Sequence, residues 1–405
     1  MGVSTLEADS TRAGKIGAVI FPPQAVKYFN PVVFVHGDHQ TGDIWGWKAD
    51  GEPGWAFHFC AAGFFTFVLY RPFHGCGHPE QPAGHESFGC VTKTLSKDEL
   101  QRYYTAPWSQ SHEVYWSYVQ SHCMWDGVCI FSGPREPNTG PSKLTNNMLT
   151  DWRTRRPIFE RTYARMVPDY LDPQEHPAIL VGHGSGATIS WLAADQAPHL
   201  VAAIVAIEPT GPPFTNGWVN DGGKQIFKLR FPDPQSLPFP CIRPYGLSDI
   251  PMGFVPPPLF PSSFEELLQD AAYIDEVPKH ERFQPIPFVK SVDPLTRTEC
   301  YLQDEANGPV RKLPNLKNIP QCVVTVGPSF HTEYDYATVA FLRQAGVPVS
   351  HLKLPEEFWA LWQWSSAHAG TQQLGHCKLA NQMDYSDPRS PNQRILSSIP
   401  GWDGA

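Results

Sequence analysis

The chain has 405 residues, with 31 basic against 40 acidic side chains and a formal net charge of −9. Its 42 Pro and 32 Gly together make about 18% of the residues, above the usual share of roughly 12% but short of the 25–30% of low-complexity chains. Aromatic residues reach 13%, ample for a large core, so a disordered chain, a collagen and a disulfide mini-protein are all excluded.

Net acidity without Lys/Arg runs speaks against a nucleic-acid partner. The longest apolar runs, such as Phe64–Tyr70, fall far short of the roughly 20 residues that cross a bilayer, so no membrane partner is expected. The first fifteen residues hold no apolar h-region, and Leu6 stands where a myristoylation signal needs Ser or Thr. The nine Cys form no C-x-x-C pair and read as scattered reduced thiols. A cytoplasmic location is the expectation.

In chain order, buried parallel strands are predicted at 31–35 (PVVFV), 64–69 (FFTFVL), 178–181 (AILV), 202–207 (AAIVAI), 322–326 (CVVTV) and 349–354 (VSHLKL). Helical patterns fall at 186–197 and at 334–345. The second puts Val339, Phe341, Leu342 and Ala345 on one face and stops at Gly346. Alternating strands and helices predict a doubly wound, mostly parallel α/β sheet.

Two stretches interrupt that rhythm. Residues 101–170 are rich in Trp, Tyr, Arg and Glu, with helices expected at 113–120 and 151–166. Residues 212–318 are loaded with Pro and hold one amphipathic helix near 264–271. Structureless loops of that length are uncommon in a compact domain, so both are expected to form a cap, helical in the first piece and Pro-rich in the second. The core is then assembled from 1–100, from 171–211 with the sharp turn after AILV, and from 319–405 with a late His loop.

Three features carry chemistry. A strand ends in His36-Gly37 and is followed by the loop DHQTG, where a backbone N–H can serve an oxyanion hole. AILV runs into Gly182-His183-Gly184-Ser185-Gly186 and then a helix, the strand–turn–helix order of a nucleophile elbow. Glu208 stands just after the next strand, and His376 stands in the late QLGHCKL loop.

On these residues the chain resembles the α/β-hydrolase superfamily, in its bacterial arylesterase-like branch, where the triad acid follows strand six. The matching text is HG-x5-W-x3-ADGEPGWAFHF at 36–59, AILVGH at 178–183, AIVAIEPTGPPF at 203–214 and YGLSDIP at 245–251. It continues with KLPNLKNIPQCVVTVGPSFH at 312–331 and FLRQAGVPV at 341–349. The resemblance covers most of 15–400, with gaps at 75–165 and 355–372. It implies an α/β-hydrolase fold with a cap, Glu208 as triad acid and His376 as catalytic His, with His368 as its rival.

The resemblance also exposes a departure. The elbow pattern is G-x-S-x-G, and its third residue here is Gly184. Ser185 falls one position later, where the family places the second oxyanion N–H. A shift of one residue on a helix turns a side chain by roughly 100°, and Ser185 also fits a first-turn helix residue bonded to backbone amides. The Gly run expected after His36-Gly37 is replaced by Asp38-His39. An inward Asp38 would repel a developing oxyanion but suit acid–base work; an outward one would cap a turn.

A carboxylate behind an imidazole fixes its tautomer and steadies the imidazolium. Keeping that dyad without a nucleophile fits an imidazole that moves a proton directly to or from a substrate or a water. Further substrate contacts are expected from His39, Arg71, His183, Trp362 and His368, with Gly37, Asp38 and Ser185 at the oxyanion side. A metal at His74, Cys76 and His78 lacks the second matched pair of a zinc site, and no nucleotide or zincin motif occurs. No cofactor and no metal are expected.

Three functions stay open at this point. One is a small-molecule enzyme that uses His376 and Glu208 without a serine nucleophile, for epoxide opening, water-mediated hydrolysis, or cyclisation or isomerisation of an apolar, polyketide-like substrate. Another is a carboxylesterase that uses Ser185, or in which Gly184 is an engineered replacement of a native serine. The third is a binding pseudoenzyme. A homodimer is also open.

Overall fold

The computed structural model describes residues 3–5, 17–37, 42–46, 53–70, 176–215, 218–221, 224–227, 243, 245–248, 250–259, 286–293, 295, 297, 299–326 and 329–354. Twelve strands and four α-helices lie within them. The strands are β1 Val3–Thr5, β2 Gly17–Phe21, β3 Tyr28–Val35, β4 Phe64–Tyr70, β5 Ala178–His183, β6 Val201–Ile207, β7 Trp218–Asp221, β8 Lys224–Phe227, β9 Phe288–Val292, β10 Glu299–Gln303, β11 Gln321–Val326 and β12 Val349–Leu354. The helices are α1 Asp43–Gly46, α2 Trp55–Ala62, α3 Ser185–Gln196 and α4 Asp335–Gln344.

Eight strands form one sheet in the order β1-β2-β4-β3-β5-β6-β11-β12. β2 runs antiparallel to both β1 and β4, and every pairing from β4 to β12 is parallel. The reason lies in the sequence: β5 (AILVGH) is buried along its whole length, as is β11 (QCVVTV), and apolar residues on both faces need a layer on each side. Alternation sorts them. Val33, Val35 and Leu180 join the core cluster that holds α3 and α4, while Val32, Phe34, Ile179 and Val181 join the one that holds Trp45 of α1 and Phe59 of α2. This strand order, with a tight turn between β5 and α3, is that of the α/β-hydrolase fold.

All six predicted strands are present. β3 and β4 are longer than expected, β6 and β11 start one residue earlier, and β5 runs on through Gly182 and His183. Helix α3 begins at Ser185, one residue before its apolar pattern, and α4 spans ten of the twelve predicted residues, ending before a left-handed Gly346 (φ 80°). Val339, Phe341, Leu342 and Ala345 are all buried, as expected.

Sequence reading missed β1 and β2, and also the β9–β10 ribbon within the Pro-rich stretch. The described parts of 212–318 place Tyr245, Leu247, Met252, Cys300 and Leu316 in the same core cluster as α3 and α4. The expected helices at 113–120, 151–166 and 264–271 lie outside the described residues.

Candidate active site

The strand order reverses at β3, which has β4 on one side and β5 on the other. Ligands of open α/β sheets bind beyond the carboxyl ends of strands at such a switch point. Four chain segments leave the sheet there in a row: His36-Gly37 after β3, Gly184 after β5, Glu208 after β6, and the segment around Ser329 and His331 after β11.

Gly184 is the apex of the turn. Its φ is 54° and its ψ −122°, outside the left-handed well that L-residues tolerate and costing them about 1–3 kcal/mol. The turn is braced by its own backbone. Gly184 N–H donates to Ile207 O at 3.1 Å, and Gly184 O accepts from Ala187 N–H at 3.1 Å and Thr210 N–H at 3.2 Å. The glycines on either side leave no room for a side chain: a Cβ on Gly182 would stand 2.5 Å from Gly186 O, and one on Gly186 would stand 2.3 Å from Val35 O. At Gly184 the nearest atom to such a Cβ is the Gly37 Cα, at 3.7 Å. Shape therefore centres the five-residue motif on Gly184, whose side-chain position opens toward the His36-Gly37 loop.

Ser185 is the first residue of α3 and 2% exposed. His183 is buried on the other side of the apex. A Cβ on Gly37 would lie 2.8 Å from its Nδ1, so Gly37 lets the loop after β3 approach the imidazole. His36 is fully buried, its Nδ1 2.8 Å from Gly37 O.

Glu208 leaves β6 with φ 45°, a strained value for a non-Gly residue, and its N–H donates to Val324 O of β11 at 2.8 Å. The side chain is buried. Oε2 is 3.7 Å from Nε2 of His183, a close contact too long for a hydrogen bond. Oε1 has no partner among the described residues. Burial by itself pushes this carboxyl up. Contact with His183, the His331 imidazole and the Ser329 hydroxyl together outweigh it and hold the group below the ordinary carboxylate range. Behind it, the PTGPPF loop is pinned by Arg243, whose Nε donates to Pro212 O at 2.9 Å and whose Nη2 donates to Thr215 O.

Sequence reasoning missed the groups after β11. His331 Nδ1 is 3.1 Å from Asp335 Oδ1, and His331 Nε2 is 3.2 Å from the Tyr334 hydroxyl. Thr325 Oγ1 donates to Asp335 Oδ2 at 2.6 Å and lies 2.8 Å from His351 Nε2. The signal was present as S-x-H-x-x-Y-D directly after a strand end (329–335). Of the expected site residues, Gly37, His183, Gly184, Ser185 and Glu208 come together. Asp38, His39, Arg71, Trp362, His368 and His376 lie outside the described residues, as do His74, Cys76 and His78.

No family model matches this chain. It is 27% identical over 337 residues to a fungal protein called a probable secreted lipase, phiG, from Fungal sp. (strain ATCC 74256), covering 83% of this chain and 77% of that one. Among solved structures it is similar to a bacterial esterase, at 13% identity and a TM-score of 0.40, covering 88% of this chain and 83% of that one. It is also similar to a soluble variant of the monoglyceride lipase of Saccharomyces cerevisiae, at 10% identity and a TM-score of 0.34, covering 87% and 85%.

Proposed function

We propose that this chain is an α/β-hydrolase-fold enzyme acting on a small apolar substrate by imidazole–carboxylate acid–base catalysis, without a serine nucleophile. The observation that carries the reading is Gly184 at the apex of the elbow, with room for a Cβ among the described residues and no hydroxyl to acylate. Beside it, the acid has been kept. Glu208 is buried and held in its charged form, and one carboxylate oxygen lacks a partner. An orphan acceptor in a buried site is costly, and an imidazole N–H from the His376 loop would fill it.

In this reading Glu208 orients His376, and His376 takes a proton from a water seated in the space beside Gly184. The water oxygen attacks the substrate, and the imidazolium returns the proton to the leaving group. Gly37 and the first turn of α3 at Ser185 face the developing oxyanion. Water-mediated hydrolysis is the reaction favoured among those open to such a dyad, because the fungal relative is called a lipase. Epoxide opening and cyclisation or isomerisation use the same groups, and a natural-product or polyketide-like substrate would suit a Pro- and aromatic-rich cap.

A second reading is a carboxylesterase whose nucleophile is Ser185, which lies next to the apex. The two separate in one experiment on a panel of nitrophenyl esters and aryl epoxides. Under the first reading His376→Ala abolishes turnover and Ser185→Ala leaves most of it. Loss with Ser185→Ala and covalent labelling of Ser185 would establish the second.

A further inference from the structure

Glu208 is held in a backbone conformation that it would not keep by itself. Its φ is 45°, in the left-handed region that costs a non-Gly residue about 1–3 kcal/mol and persists only where the surroundings over-determine it. Phe214, six residues on, has φ 64°. The loop that carries the acid therefore has a strained residue at each end, and both ends must be fixed from outside.

The near end is fixed by the sheet and the elbow. Gly184 N–H donates to Ile207 O at 3.1 Å, Gly184 O accepts from Thr210 N–H at 3.2 Å, and Glu208 N–H donates to Val324 O at 2.8 Å. The apex of the turn thus brackets the acid with its own peptide groups. The middle of the loop rests on α4, where a Cβ on Gly211 would stand 2.7 Å from Cε2 of Tyr334. The far end is fixed by Arg243. Its Nε donates to Pro212 O at 2.9 Å and its Nη2 to Thr215 O, so one guanidinium spans the strained Phe214.

Arg243 is itself firmly seated. It is buried, and its carbonyl accepts from Gly246 N–H at 2.8 Å. Gly246 lies so close to α4 that a Cβ there would overlap the Phe341 ring. Phe341 in turn meets Phe214 edge-on, with ring centroids 5.4 Å apart, and Phe288 stacks on Phe214 at 4.7 Å. Taking a guanidinium out of water is costly, and two of its donors meet carbonyl oxygens of this one loop. Nε and Nη2 lie along one edge of a planar fork, an arrangement that a Lys ammonium does not copy.

We propose that Arg243 is a positioning residue for Glu208. Its fork fixes the far end of the acid loop, and the elbow fixes the near end. Between them the Glu208 backbone is kept at its strained angle and the carboxylate is kept in the site. The catalytic consequence rests on the reading of Glu208 as the acid of the dyad; the hold on the loop does not.

The test compares Arg243→Lys, which keeps the charge and loses the fork, with the native protein, both full-length. Amide hydrogen exchange followed by NMR reads the loop directly. The N–H groups of Glu208 and Thr210 should exchange roughly tenfold faster or more, as expected when a hydrogen bond to a charged group is lost, while amides within β5 keep their native rates. Unchanged exchange at both residues in a folded variant overturns the proposal, and so does an equal acceleration throughout β5. Turnover of the nitrophenyl ester and aryl epoxide panel reads the consequence. kcat should fall by about ten- to a hundredfold with KM nearly unchanged, and the same substitution made in Glu208→Gln should lower kcat no further. A full further loss there overturns the claim that Arg243 acts through Glu208. Faster exchange at the two amides with kcat unchanged would sink the reading of Glu208 as the acid and leave the hold on the loop standing. Where Arg243→Lys does not fold, nitrogen-15 spectra of the native protein decide. The Arg243 Nε–H should be protected from solvent and coupled through its hydrogen bond to the Pro212 carbonyl, and a freely exchanging Nε–H overturns the proposal.

Discussion

Nε2 of His183 lies 3.7 Å from Oε2 of Glu208, and both side chains are buried. One imidazole therefore touches the acid after β6 on one side and the Gly37 backbone on the other. His183→Ala should leave a buried carboxylate with one fewer partner. We expect a loss of roughly 1–3 kcal/mol in urea unfolding, with His331 and Ser329 limiting the damage. A variant as stable as the native protein would mean that the contact contributes nothing.

Gly184→Ala tests the vacant position. Among the described residues its Cβ meets only the Gly37 Cα, at 3.7 Å, so the cost should be that of backbone strain, about 1–3 kcal/mol. Gly186→Ala is the contrast. Its Cβ would overlap Val35 O at 2.3 Å, so the fold should be lost or nearly so. Circular dichroism melts of the two, side by side, check the difference. Equal losses would place the apex of the turn elsewhere.

Glu208→Gln keeps the shape and removes the charge. Turnover should fall by about 10²–10⁴, the range of general acid–base assistance, while the melting temperature moves little. Full activity in this variant would remove Glu208 from the reaction.

Much of this arrangement was legible in the sequence, and the reason is periodicity. β5, β11, nearly all of β6 and the second half of β3 are apolar runs buried on both faces, which few other structures explain. The elbow was legible because Gly182 and Gly186 are spaced as the turn demands, and Glu208 because it follows β6 at once. β1 and β2 were missed because strands of three and five residues are too short to show a period. The β9–β10 ribbon was hidden by the Pro residues around it. The His331 group is local, in S-x-H-x-x-Y-D, and was passed over because a His, a Tyr and an Asp at helical spacing also suit a plain helix start; only its link through Thr325 to His351 depends on the register of β11 against β12.

His351 gives a pH dependence of stability. Burial, and to a lesser extent the charges of Lys353 and Arg343, push its imidazole from 6.5 down to about 4. Between those values the unfolded chain holds the proton and the folded chain does not. Stability should therefore be complete above pH 6.5 and fall as the pH drops toward 4, by at most roughly 3 kcal/mol. His351→Gln keeps a hydrogen-bonding partner for Thr325 and removes the titration, so its stability should fall less steeply across that window. Identical slopes in urea titrations would show that His351 is protonated alike in both states.

The central claim is that no serine becomes acylated. Intact-mass analysis after incubation with a fluorophosphonate tests it most directly. The native protein should gain no adduct, and Gly184→Ser, which restores a hydroxyl at the apex, should gain one. A stoichiometric adduct on Ser185 of the native protein would contradict the account.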